Sequence, residues 1–206
     1  MMKRVFDLSV AALGLVLLLP LLGLITLLIK LDSRGPVLFR QVRIGRRLKP
    51  FQIYKFRTMT PDASRSGGLI TIGEDPRITR VGRWLRKSKL DELPQLLNVL
   101  KGEMSLVGPR PEVPHYVELF HKDYEEILQV APGITDLASL AYHNEAELLG
   151  KAEDPEKEYL HHILPEKIRL AKEYVHRSSL RFDLQVILKT LWQISRRQNL
   201  DTPVSG

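Results

Sequence analysis

The sequence predicts an α+β fold carried at a membrane surface, and three observations lead there. An uncharged run dense in Leu, Val and Ile extends from Leu8 to Ile29. One β-hairpin pattern follows it. Beyond the hairpin the chain is patterned for helices, without the strand–helix alternation that builds a parallel βαβ sheet. The expected divisions are a membrane segment at 1–34, a main domain at 35–198 and a flexible tail at 199–206.

Composition narrows the function classes. At 206 residues, with 44% apolar and 27% charged, the chain can bury a substantial core and is neither disordered nor fibrous. It has no cysteine, which excludes disulfide scaffolds, thiol catalysis, Cys-ligated zinc and iron–sulfur clusters. Lys and Arg number 31 against 24 Asp and Glu, a net charge of +7 that calls for an anionic partner. An acidic membrane surface and phosphorylated small molecules both suit it. Nucleic acid does not, because the aromatic–basic interleaving of a single-strand platform is missing and a membrane segment is present.

The Leu8–Ile29 run, about 22 residues, would make a helix about 33 Å long, enough to cross a bilayer. No small-x-small cleavage site follows it; Lys30-Leu31-Asp32 comes instead, which argues against a signal peptide. Pro20 sits mid-run and removes a helical hydrogen bond. Positive residues, which prefer the cytoplasmic side, flank both ends: Lys3 and Arg4 before; Lys30, Arg34, Arg40, Arg43, Arg46, Arg47 and Lys49 after. A re-entrant helix–break–helix that enters and leaves through one leaflet satisfies both flanks. A spanning helix with a proline kink is the alternative.

Val37–Ile44 and Phe51–Phe56, rich in β-branched and aromatic residues, read as the two strands of a hairpin turned at Gly45-Arg46-Arg47 and Pro50. Ala63–Gly68 reads as a mobile loop. Arg77–Lys87 places Ile78, Val81, Trp84, Leu85 and Ser88 on one helical stripe among cations. That suits an interfacial amphipathic helix with Trp84 at headgroup depth, or equally a solvated helix with one buried face. Leu90–Leu100 reads as a helix with Leu93, Leu96, Leu97 and Leu100 inward and Gly102 as its stop. Glu112–Val130 and Pro155–His176 are further helices. Leu180–Arg196 is a second basic amphipathic helix suited to the bilayer surface, and Asp201–Gly206 is a frayed end.

The residues that carry chemistry cluster between Lys55 and Arg110. Asp91 and Glu92 are adjacent carboxylates at a helix start; neighbours in a helix do not share a face, so one can hold a divalent cation while the other attacks. A helix N-terminal cap is the plain alternative for the pair. In Gly108-Pro109-Arg110-Pro111 the prolines fix the backbone around Arg110, so its guanidinium loses little entropy on gripping a phosphate. Lys55 and Arg57, two apart on a strand, are expected on one sheet face. The metal this set suits is magnesium, with carboxylate and phosphate oxygens. His115, His121, His143, His161, His162 and His176 show no zinc spacing.

Together these residues resemble a known family. The run Arg86-Lys-Ser-Lys-Leu-Asp91-Glu92-Leu-Pro-Gln-Leu-Leu-Asn98-Val-Leu-Lys-Gly102-Glu-Met-Ser-Leu-Val-Gly108-Pro-Arg110-Pro-Glu112 is similar to the core of the bacterial sugar transferases, the monotopic polyprenol-phosphate phosphoglycosyl transferases. Tyr54-Lys55-Phe-Arg57-Thr-Met59, Asp75-Pro-Arg-Ile-Thr-Arg80-Val-Gly-Arg83 and Pro132-Gly133-Ile-Thr135 resemble its other signatures.

The resemblance implies a re-entrant membrane helix broken near Pro20 and a catalytic domain on the cytoplasmic face of the bacterial inner membrane. It implies transfer of a sugar phosphate from a UDP-sugar to undecaprenyl phosphate, with release of UMP. By position Asp91 would be the nucleophile and Glu92 a magnesium ligand. Lys55, Arg57, Arg86 and the Pro109–Arg110–Pro111 segment would contact phosphates. Asp136 to Glu145 departs from the family pattern, which leaves the sugar open. Anionic lipids of the inner leaflet are the expected surface, and a homodimer is among the assemblies the sequence allows. The competing reading is a non-catalytic basic scaffold that holds glycan-assembly enzymes at the membrane; it gives the Asp91–Glu92 pair no purpose.

Overall fold

The computed structural model describes residues 2–61, 70, 72, 73, 75–142 and 144–200, with side chains to residue 196. The Ala63–Gly68 loop, His143 and the Asp201–Gly206 end lie outside the described residues.

Helix α1 (Met2–Asp32) is one continuous helix with Pro20 inside it. At about 1.5 Å per residue it is about 46 Å long. The expected break at Pro20 does not interrupt it. Asp7, Ala11, Ile25 and Ile29 are buried, and Leu15, Leu18, Leu21 and Leu22 pack beside them. Their spacing of three and four keeps one stripe in phase through the proline, so the fold holds the helix on both sides of the missing hydrogen bond. The outer face, including Leu13, Leu17, Leu19, Leu24 and Leu27, is exposed. Among the described residues this is the one helix long and apolar enough to cross a membrane.

Both ends of α1 are tied to the same domain. Arg4 donates to the carbonyls of Val99 at 2.7 Å and Leu100 at 3.3 Å. Asp7 accepts from Ser105 Oγ and from the Leu106 amide. At the far end, Asp32 accepts from the Val81 amide.

The hairpin is present as expected. Strands β1 (Leu38–Ile44) and β2 (Pro50–Phe56) pair antiparallel, with Phe39 opposite Lys55 and Arg43 opposite Phe51. The turn between them puts Arg47 and Leu48 at positive φ, the twist a tight hairpin needs. Helix α2 (Arg80–Lys87) is capped by Thr79 and splits its apolar stripe: Leu85 is buried, Trp84 exposed.

Helix α3 (Gln95–Lys101) starts later than the sequence suggested and is rotated. A 3₁₀ turn, Leu90–Glu92, precedes it, and Gly102 ends it at φ 86°. Leu97 and Leu100 face outward, contrary to expectation, while Asn98 and Val99 are fully buried. The reason is polar. The Asn98 amide accepts from the Tyr54 amide nitrogen at 3.1 Å and donates to the Gln52 carbonyl at 2.7 Å, satisfying the open edge of β2.

The remaining elements are strand β3 (Ser105–Val107), helices α4 (Pro114–Leu119) and α5 (His121–Ile127), and strand β4 (Gly133–Thr135). Then come α6 (Leu137–Ala141), α7 (Glu145–Gly150), α8 (Pro155–Glu158), α9 (Leu164–Arg177) and α10 (Leu180–Leu200). The first two expected residues of the tail, 199 and 200, belong to α10. The expected Glu112–Val130 helix is two helices meeting at Phe120. Strands β3 and β4 pair in parallel through three-residue segments. Just past β3 the two segments approach so closely that a Cβ on Gly133 would collide with the Gly108 backbone, and one on Gly108 with the Ala131 carbonyl. Helix α10 buries Val186 and Asp183 but exposes Leu184, Leu188, Leu191 and Trp192, a second outward apolar stripe.

Candidate active site

Three segments converge on one carboxylate. Lys89, at φ 59°, closes α2 and turns the chain into the 3₁₀ turn that carries Asp91 and Glu92. Both carboxylates are buried. Glu92 Oε1 accepts from Lys55 Nζ at 2.7 Å, out of β2, and from Arg110 Nη2 at 2.9 Å, out of the loop after β3. Glu92 therefore turns away from α3 and does not cap it. Its second oxygen, Oε2, lies outside both contacts. Asp91 differs: its Oδ1 is buried and has no hydrogen-bond partner.

The electrostatics follow from that asymmetry. Burial alone would raise the Glu92 carboxyl, but Lys55 and Arg110 outweigh it and hold the group well below its ordinary value. The same burial, with the negative Glu92 alongside, pushes the Asp91 carboxyl up. Burial lowers Lys55, against the pull of Glu92. Arg110 is raised by Glu92. Two adjacent acids are thus driven apart, one held ionised and one easily protonated.

The other expected site residues fall into two groups. Arg86 belongs to the site: its Nε donates to Thr58 Oγ1 at 2.8 Å, and Asp91 is among the charges it feels. Pro109 and Pro111 frame Arg110, with the Pro109 carbonyl accepting from the Gly133 amide at 2.9 Å and the Pro111 carbonyl from Arg43 at 3.1 Å. Arg57 does not belong. It lies just past the end of β2 and makes no bond to Glu92. Its guanidinium instead donates to the Ser33 carbonyl at 2.7 Å, the Arg34 carbonyl at 2.9 Å and Ser33 Oγ, clamping the C-terminal end of α1. Thr58, Arg43 and Ser139, which lies 3.5 Å from Arg110 Nη1, are neighbours that sequence reading missed. No local signal marks Thr58 or Ser139; Arg43 lies on the same face of the hairpin as Lys55, and that alternation was the available clue.

For a hard cation the donors fit in one manner. Asp91 offers an unpartnered oxygen and Glu92 a second one beside it. Among the described residues no three His, Asp or Glu side chains converge. Magnesium here would take one or two carboxylates and complete its shell from water and a substrate phosphate.

The two acids should respond oppositely to substitution. Glu92 adds stability above its ordinary value near 4.5, lost as pH falls through its depressed folded value. The Asp91 contribution is present below 3.8 and lost as pH rises through its elevated folded value. At pH 7, Asp91→Asn is therefore expected to raise the thermal midpoint by roughly 2–4 °C, the equivalent of about 1 kcal/mol in a domain this size. Glu92→Gln strands two half-buried cations and is expected to cost on the order of 2 kcal/mol. Thermal melts in detergent check both; a lowered midpoint in Asp91→Asn contradicts the assignment of Asp91.

Comparison with known proteins gives the family. Residues 1–197 match the family model described as bacterial sugar transferase. An undecaprenyl-phosphate glucose phosphotransferase of Komagataeibacter xylinus is 43% identical over 196 residues, 92% of this chain but 35% of that protein. A UDP-glucose:undecaprenyl-phosphate glucose-1-phosphate transferase of Caulobacter vibrioides is 42% identical over 197 residues, 92% of this chain and 68% of its own length. The exopolysaccharide production protein PSS of Rhizobium leguminosarum bv. phaseoli is 40% identical over 200 residues, 92% of this chain and 93% of its own. The chain therefore spans about a third of the first of these relatives and nearly all of the last. On the match of residues 1–197, the chain belongs to the bacterial sugar transferase family.

Proposed function

We propose that the chain is a phosphoglycosyl transferase that moves a sugar 1-phosphate from a UDP-sugar to undecaprenyl phosphate and so starts assembly of a bacterial glycan. The observation that carries this is the Asp91 oxygen, buried and unbonded beside a carboxylate that holds two cations. A nucleophile needs a lone pair that no donor occupies. A scaffold has no use for one at such a cost.

The chemistry runs in two displacements. An Asp91 oxygen attacks the sugar-bearing phosphorus, and the bond from that phosphorus to the bridging oxygen breaks. The bridging oxygen and its electron pair leave with UMP. The aspartyl phosphosugar is then attacked at the same phosphorus by an oxygen of undecaprenyl phosphate, and the Asp91 carboxylate departs. Splitting the transfer lets a soluble donor and a lipid acceptor use the site in turn. Arg110 and Arg86 offset the charge of the phosphates, and Lys55 keeps Glu92 ionised. Magnesium, bound by Glu92 with Asp91 adjacent, would supply charge neutralisation at the diphosphate.

The way α1 is held supports monotopic association. Both of its ends are bonded to the domain that carries the site, Arg4 and Asp7 at one end and Asp32 at the other, and on this reading both stay on one side of the bilayer. Its exposed leucines, those of α10 and Trp84 are the surfaces for the lipid, on the cytoplasmic face of the inner membrane.

Asp91→Asn is expected to lower UMP release from UDP-sugars at least a thousandfold while the protein still sediments with membranes; retained turnover contradicts the role of Asp91. In the wild type, kcat/KM is expected to fall on the acid side with a midpoint above 3.8, because the raised Asp91 must ionise to attack. Glu92→Gln removes the negative neighbour that raises Asp91, so in what activity remains that midpoint moves to lower pH. Topology is open to labelling in this cysteine-free chain. Met2→Cys and Arg34→Cys are expected to react with an impermeant thiol reagent from the same side; opposite sides refute monotopic association.

A further inference from the structure

Behind the site lies a second buried ionic cluster that the two displacements do not use. Glu112 is 6% exposed. Its Oε2 lies 3.3 Å from Arg43 Nη1, and its Oε1 accepts from the Tyr159 hydroxyl at 3.0 Å, with Lys167 Nζ 3.7 Å away. Lys167 also donates to Tyr159 Oη at 3.2 Å and to Glu145 Oε2 at 3.0 Å. The other nitrogens of Arg43, Nε and Nη2, donate to Gln41 Oε1. A cavity of about 20 Å³ is lined by both Glu112 and Arg110, together with Asp136 and Lys167.

What ties this cluster to catalysis is its grip on the backbone of the Arg110 loop. The Arg43 Nη1 that meets Glu112 also donates to the Pro111 carbonyl at 3.1 Å. The Glu112 carbonyl accepts from the Ile44 amide at 3.0 Å, and the Pro109 carbonyl from the Gly133 amide at 2.9 Å. Arg110 is thereby held from both sides, and the proline rings on either side of it fix two of the adjoining φ angles. A cluster that only fastened α9 to the core would need Lys167 and Tyr159 but no guanidinium at the Pro111 carbonyl.

We infer that Glu112 is a positioning residue: through Arg43 and the Pro111 carbonyl it fixes the loop that aims the Arg110 guanidinium at the anion. This rests on the transferase reading only for the identity of that anion. The test uses the full chain in detergent and inorganic pyrophosphate as the probe, titrated by calorimetry, with thermal midpoints recorded alongside.

Glu112→Gln is expected to weaken pyrophosphate about ten-fold, the scale of one charge-assisted contact made out of register. Tyr159→Phe, which leaves every charge in place and folds even where Glu112→Gln does not, is expected to weaken it about three-fold. Both losses should disappear in an Arg110→Lys background, where a flexible ammonium no longer depends on a pinned loop. Wild-type affinity in both single variants, equal losses in the two backgrounds, or no pyrophosphate binding by the wild type each overturns the inference. UMP release reports separately: a protein that shows the pyrophosphate pattern but releases no UMP retains the role of Glu112 and loses the proposed donor.

Discussion

One oxygen atom, Oε1 of Glu92, holds the site together. It accepts from a lysine on the hairpin and an arginine on the loop after β3, 37 and 18 residues away in sequence. That ion triad joins β2, the 3₁₀ turn and the Arg110 loop at one point. Burying so many charges is costly, and the cost is tolerable only because each charge is matched. Asp91 is the exception. Its adjacent carboxylate receives none of this compensation at Oδ1, which is why the same burial that Glu92 overcomes dominates Asp91.

The rest of the fold serves that arrangement, and α1 is part of it. Ser105 and Leu106 of β3, which leads to Arg110, bond to Asp7 near the start of α1. The end of α1 is clamped by Arg57, next in sequence to the Thr58 that bonds Arg86. Helix α1 and the residues of the candidate site therefore share supports at both ends. On the proposed reading, with an acceptor whose phosphate is confined to headgroup depth, such rigidity would set the height of the site relative to the lipid.

Much of this was legible in the sequence, and the failures have physical causes. The hairpin and the stop at Gly102 are local patterns, and they appear where expected; Lys55, Glu92 and Arg110, singled out as one cluster, do come together. The β3–β4 pair does not announce itself, because two three-residue strands paired in parallel carry too little periodicity. Leu97 and Leu100 misled because apolar spacing cannot foresee a buried Asn98 that rotates α3 to serve the edge of β2. Arg57 misled because two-residue spacing cannot foresee that its guanidinium finds the Ser33 and Arg34 carbonyls at the end of α1. Pro20 suggested a break that the tertiary contacts of α1 override. The opposite protonation tendencies of two adjacent acids depend on which of them Lys55 and Arg110 reach, and no linear spacing contains that.

The most direct measurement is intact-protein mass spectrometry after incubation with UDP-sugars and magnesium in the absence of undecaprenyl phosphate. Wild type should gain the mass of one sugar phosphate, lose it when the lipid acceptor is added, and Asp91→Asn should gain nothing. Turnover with full UMP release and lipid product, but no covalent species at any time after mixing, would contradict attack by Asp91.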